Sequence, residues 1–144
     1  MRLVLASDDN VSELLPRMRA FNASENIAIA DDKLIDALQF LFATPELGCV
    51  WIVTDDHVIG YAVVTFGFDL EFAGRDAYLT ELWIDERERG RGAGSAVLAL
   101  IADELRERDV RAVHLHVRPE NGAMQLYERA GFTASPRIVM TRVL

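Results

Sequence analysis

The sequence predicts a mixed α/β sandwich, a central and mostly antiparallel sheet flanked by helices. Three observations carry that prediction. Apolar residues recur at helical spacing near the start, strand patterning takes over from Cys49 to Ile84, and a strand–helix–strand–helix–strand order follows. The chain has 144 residues, 51% hydrophobic and 26% charged, with a net charge of −8. Those figures suit one compact domain over residues 1–144.

Each element has a local reason. Arg2–Ala6 reads as a short strand. Asp8 or Asp9 caps a helix to about Phe21, with Val11, Leu14, Leu15 and Met18 at helical spacing. After the polar connection Asn22–Asn26, Asp31–Ala43 reads as a second helix. Leu34, Ile35, Leu38 and Leu41 form its stripe, and Thr44-Pro45 ends it. Cys49–Val53 and Val58–Phe68 make a hairpin around Thr54–His57, and Arg75–Ile84 completes a meander. Gly92–Arg108 is a helix with Leu98, Ile101, Ala102 and Leu105 on one face. Val113, Leu115 and Val117 alternate as a strand. Ala123–Ala130 is a short helix stopped by Gly131, and Ile138–Leu144 reads as the closing strand.

Composition removes several function classes. The only cysteine, Cys49, cannot form an internal disulfide, and no cysteine–histidine spacing suggests zinc. No apolar run approaches the roughly 20 residues that span a bilayer, and the first nine residues do not read as a signal peptide. A sequence pI near 4.8 argues against a general nucleic-acid binder. The expectation is a cytoplasmic protein with neither nucleic acid nor membrane as partner. His114 and His116 share a strand face, but no third ligand lies within reach by sequence, so no metal is expected.

The chemistry concentrates in Leu82-Trp83-Ile84-Asp85-Glu86-Arg87-Glu88-Arg89-Gly90-Arg91-Gly92-Ala93-Gly94-Ser95. A buried strand ends, arginines and glycines follow, and a well-patterned helix begins. Free N–H groups at a helix start form an anion site, and glycines let a phosphate reach the backbone. A Walker A loop needs a Lys-Ser/Thr pair that Gly94-Ser95-Ala96 lacks. A dinucleotide fingerprint fits poorly, because Ser95 takes its last place. The ligand reads as a phosphate or pyrophosphate.

Arg89-Gly90-Arg91-Gly92-Ala93-Gly94 resembles the Arg/Gln-x-x-Gly-x-Gly/Ala signature of the GNAT superfamily of acetyl-coenzyme-A-dependent N-acetyltransferases. Asn121, Ala123, Leu126-Tyr127-Glu128 and Gly131-Phe132 resemble that family's second motif, with the asparagine–alanine gap one residue shorter. The resemblance implies a GNAT-like fold and acetyl-CoA as cosubstrate. It implies that the N–H groups of Arg89, Gly90, Arg91, Gly92, Ala93 and Gly94, with Ser95 beside them, hold the coenzyme pyrophosphate. The resemblance also implies that main-chain groups of Trp83 and Ile84 pair with the pantetheine arm, that Asn121 contacts the coenzyme, and that the Tyr127 hydroxyl lies near the thioester sulfur as proton donor.

Glu81 is the candidate base, with Asp85 a weaker one. Glu25, Asp31, Asp32, Asp69 and Glu71 are a candidate acidic rim for a cationic amine. The expected activity is acetyl transfer to a primary amine of a small molecule or peptide by direct attack in a ternary complex. The alternative is a non-catalytic acyl-CoA-binding sensor. A homodimer is suggested by the apolar segment Ile138–Leu144.

Overall fold

The structure is a computed structural model that describes residues 1–120 and 122–144. Strand β1 (Arg2–Leu5) leads through a 3-10 turn at Asp8–Asn10 into helices α1 (Val11–Ser24) and α2 (Asp31–Ala43). Strands β2 (Gly48–Thr54), β3 (Val58–Asp69) and β4 (Gly74–Ile84) follow. A second 3-10 turn, Glu86–Glu88, precedes helix α3 (Ala93–Glu107), strand β5 (Val110–His114) and helix α4 (Met124–Arg129). The sheet order is β1-β2-β3-β4-β5. The first three pairings are antiparallel and β4–β5 is parallel, so the sheet is mixed.

The core lies in two layers because strand residues alternate between faces. Trp51, Val53, Ile59 and Val64 pack with Val97, Leu98, Ile101 and Leu105 of α3. Val50, Ile52, Tyr61 and Val63 pack with Leu14 and Met18 of α1 and Leu38 of α2. Every residue from Gly48 to Val53 is buried, as a strand covered on both faces requires. Cys49 lies in the α3-side layer, where burial pushes its thiol up to about 11. A thiol held protonated there is no nucleophile, and this fits a reaction without an acyl-enzyme.

Two features place the site. The first is a bulge in β4. Val63 pairs with Glu81 and Val64 with Leu79, which leaves Thr80 as an extra residue. Its hydroxyl donates to the Val63 carbonyl at 3.2 Å. The inserted residue reverses the alternation: Leu79 and Leu82 both pack on the α3 side, while Glu81 meets Tyr61 and Trp83 packs on the α1–α2 side.

The second is an early end to the parallel pairing. β4 and β5 are matched only as far as Tyr78 and His114. The strand expected through Val117 therefore stops at His114. Past it, Arg118 is held by the end of α1 instead of by the sheet: it donates to the Glu25 carbonyl at 3.0 Å, and its Nε lies 3.4 Å from the Glu25 carboxylate. A wedge opens between Leu79–Ile84 and Leu115–Arg118.

The closing strand expected over Ile138–Leu144 does not form. These residues are exposed, and among the described residues they pair with no strand. Alternation and β-branched residues favour an extended chain, but a strand also needs an adjacent edge, and this segment meets none in its own chain.

Candidate active site

The wedge is a cleft of about 1140 Å³. Its walls are Leu79–Ile84 of β4, residues 115–118 after β5, the glycine-rich turn into α3, the end of α1 and the α4 residues Leu126 and Tyr127. Most of the residues singled out from the sequence thus meet in one place. Trp83, Ile84, Arg89, Gly90, Gly92, Ala93, Gly94, Ser95, Glu81 and Tyr127 all line it. Arg91 is exposed in the same turn. Asn121 lies outside the described residues.

The turn is shaped as an anion cradle. Gly90 and Gly92 have φ of +77° and +83°, the left-handed region that side chains disfavour. Gly92 caps α3, so the helix begins at Ala93. Among the described residues, the N–H groups of Gly90 to Ser95 meet no protein acceptor, whereas that of Arg89 donates to the Glu86 carbonyl at 3.2 Å. The unpaired run is therefore one residue shorter than expected. Six donors at the positive end of a helix dipole, with nothing within 4 Å of where a Cβ would sit on Gly90 or Gly92, fit a diphosphate.

Arg89 does more than add charge. Its Nε donates to the Ile84 carbonyl at 2.8 Å, and its guanidinium stacks 4.5 Å from the Trp83 ring centre. It ties the turn to the end of β4. At Gly94, an added Cβ would lie 2.9 Å from the Leu126 side chain. That close approach of α4 to α3 holds the neighbouring Tyr127 at the cleft.

Glu81 is half-buried, and its Oε2 accepts a 2.6 Å hydrogen bond from the Tyr61 hydroxyl. Burial raises its pKa, and the Tyr61 bond opposes that by favouring the carboxylate. Tyr61 is 0% exposed, and burial followed by the Glu81 charge holds it firmly protonated. Tyr127 also titrates above its ordinary value, from burial and then the nearby Glu25 carboxylate. Its ring packs edge-on to Phe132 at 5.9 Å.

Asp85, the weaker base candidate, is occupied. Arg17 grips it through Nε at 3.0 Å and through NH2 at 2.7 Å, and the Trp83 indole donates to it at 3.2 Å. It anchors α1 to the end of β4. Of the acidic rim, only Glu25 lines the cleft. Asp31 pairs with Arg19, and Glu71 with Arg137 at 2.9 Å. The histidine pair gains neighbours that the sequence hid: donor atoms of His114, Asp76 and Asp69 lie within 4.8 Å of one another. Asp69 Oδ1 already accepts the Glu71 N–H at 2.8 Å. Tyr61 and Arg118 were missed altogether. Tyr61 carried one signal, a hydroxyl in an otherwise apolar buried strand.

The pKa direction of Glu81 makes a stability prediction. A carboxyl whose folded pKa is raised stabilises the fold while protonated and loses that contribution as pH rises through the raised value. Glu81→Gln should therefore gain stability relative to wild type as pH climbs past the ordinary carboxylate range. Melting temperatures across pH check this, and a gap that does not change with pH would refute the half-buried, raised-pKa carboxyl.

The profile of the acetyltransferase (GNAT) family matches residues 15–132. No curated protein sequence matches the chain significantly. Among solved structures, an integron cassette protein from the mobile metagenome of Cole Harbour Salt Marsh is similar at 27% identity and TM-score 0.86, covering 99% of this chain and 90% of that one. A Clostridium acetobutylicum protein described as a predicted acetyltransferase, solved with acetyl-CoA, is similar at 19% identity and TM-score 0.80, covering 98% and 95%. A ribosomal-protein-alanine N-acetyltransferase from Brucella melitensis biovar Abortus 2308 is similar at 16% and 0.79, covering 99% and 100%. The last two likenesses concern the fold alone. Fold and profile together define an acetyltransferase. The chain belongs to the GNAT family.

Among the described residues, no helix is long and apolar enough to cross a membrane.

Proposed function

We propose that this protein transfers the acetyl group of acetyl-CoA to a primary amine of a small molecule or peptide, by direct attack in a ternary complex. One observation carries the reading: the turn with the unpaired donors of Gly90 to Ser95, the half-buried Glu81 and Tyr127 line a single cleft. The diphosphate rests on the donors, with Arg89 bracing the turn and Arg91 adding charge. The pantetheine arm lies along the unpaired edge of β4 at Trp83 and Ile84, as an added strand does. Asn121 completes the coenzyme contacts.

The amine nitrogen forms its bond to the thioester carbonyl carbon, and the carbon–sulfur bond breaks. The amine proton passes to Glu81, directly or through water. A raised pKa makes Glu81 a better base than an ordinary carboxylate. Tyr127 gives its proton to the departing thiolate, and its own raised pKa keeps that proton in place until then. The products are an amide and the coenzyme thiol. A buried lone cysteine suits the reducing cytoplasm.

A panel of primary amines in a free-thiol release assay, with amide product identified by mass, tests this. Amine-dependent release is expected. Coenzyme binding with no release for any amine would favour the sensor instead. Tyr61→Phe adds a mechanistic check. Without the hydroxyl, the Glu81 pKa rises further, so the ascending limb of the pH–rate profile should move to higher pH. An unmoved limb would remove Glu81 from the proton path.

A further inference from the structure

Asp76 of β4 is a buried carboxylate, 7% exposed, that accepts no hydrogen bond among the described residues. Its only ion-pair partner among them is His114, whose Nε2 lies 3.4 Å from Asp76 Oδ2. That nitrogen is buried too, and it makes no hydrogen bond to Asp76 or to any other described residue. Leaving two such groups unbonded out of water is costly, so both call for a partner.

The fold brings a third group to the same point. Asp69 stands two residues beyond Gly67, which pairs with Asp76 across β3 and β4. His114 stands two residues beyond Ala112, which pairs with Asp76 across β4 and β5. Side chains two apart share a face of the sheet, so three adjacent strands each offer one group. Their donor atoms lie within 4.8 Å of one another. Gly67 keeps the place open, because a Cβ there would come within 2.6 Å of Asp76 Oδ1. The surroundings also orient the groups. The Phe72 and Tyr78 rings pack against the His114 imidazole at 5.7 and 4.9 Å. The Glu71 N–H donates to Asp69 Oδ1 at 2.8 Å and leaves Oδ2 unbonded among the described residues.

We propose that Asp69, Asp76 and His114 bind a zinc ion that clasps β3, β4 and β5 together. Two atoms each about 2.1 Å from zinc at a tetrahedral angle stand about 3.4 Å apart. Asp76 and His114 already have that separation. Asp69 closes the remaining distance by turning its side chain, and water takes the fourth position. One imidazole nitrogen with two carboxylate oxygens suits zinc better than magnesium or calcium, which prefer oxygen alone. Neighbouring arginines are engaged elsewhere: Arg137 with Glu71 at 2.9 Å, and Arg75 over the Phe66 ring. The two carboxylate charges therefore match those of the ion. His114 is the last residue of β5 paired with β4, so the clasp holds the sheet where the cleft begins to open.

Calorimetric titration of the untagged chain with zinc chloride at neutral pH should show one ion bound per chain. Asp76→Asn and His114→Gln keep the shape of the side chain and remove a ligand. Each should weaken binding by more than about tenfold, the least that outer-shell changes alone produce. His57→Gln, in the β2–β3 turn, should bind as wild type does. Far-UV spectra check that each variant is folded, and His114, being half-buried, tolerates the change. Zinc should also raise the melting temperature of wild type and of His57→Gln but not of the two ligand variants. Each protein without zinc is its own reference, so lost packing cannot imitate lost ligation. A wild type that binds no zinc overturns the proposal, as does unchanged binding in Asp76→Asn or in His114→Gln. Displacement of zinc by an equal concentration of magnesium would refute the choice of ion.

Discussion

Gly92→Val is expected to weaken coenzyme A binding by about 10- to 100-fold while leaving the fold intact. At Gly92 φ is +83°, and no atom lies within 4 Å of an added Cβ, so the substitution creates no clash inside the protein. Two costs remain. A residue with a Cβ in the left-handed region loses about 1–2 kcal/mol, and a β-branched one is more strained still. The new side chain also occupies the space in which a phosphate meets the N–H groups of the turn. A tenfold loss corresponds to about 1.4 kcal/mol, which the backbone cost supplies where the free turn relaxes out of the left-handed region and must return to it on binding. Gly92→Ala should fall between wild type and Gly92→Val. Calorimetric titration with coenzyme A measures the effect, and full affinity in Gly92→Val would show that the phosphates rest elsewhere.

The second large effect concerns the chemical step. Tyr127→Phe should lower kcat about 100-fold, the lower end of what a positioned general acid supplies, with the KM for acetyl-CoA little changed. Tyr127 lines the cleft and its ring keeps its contact with Phe132, so the variant retains its packing. A loss confined to kcat places Tyr127 at the leaving group. A rise in KM with unchanged kcat would make it a binding residue only. Poor leaving groups need the acid most, so a thioester analogue with a more acidic thiol should recover much of the lost rate. Absence of that rescue would argue against proton donation.

The likeness to the metagenomic integron cassette protein extends over 99% of this chain. The resemblance read from two short motifs is thereby matched by the whole architecture, including the first two helices, where the sequence offered no motif. The end of α1 and the connection after it line the cleft through Phe21, Ser24, Glu25 and Ile27. Arg118 forms an ion pair with Glu25 at the same cleft.

The sequence by itself determined the element order as far as α4, the central sheet between helices and the glycine-rich turn into α3. Each rests on short-range physics: the apolar period distinguishes helix from strand, glycine is needed where φ is positive, and a helix start leaves N–H groups unpaired. Gly90, Gly92 and the first turn of α3 could be read for that reason. Tertiary structure alone decided the rest. A bulge depends on two strands pairing out of step, so nothing local to Thr80 announced that Glu81 would turn towards Tyr61, 20 residues away. The wedge depends on where the β4–β5 pairing ends, and Arg118 beyond it meets Glu25, 93 residues away in the chain. Ile138–Leu144 reads as a strand and forms none, because strand pattern is a property of a segment while pairing is a property of its neighbours.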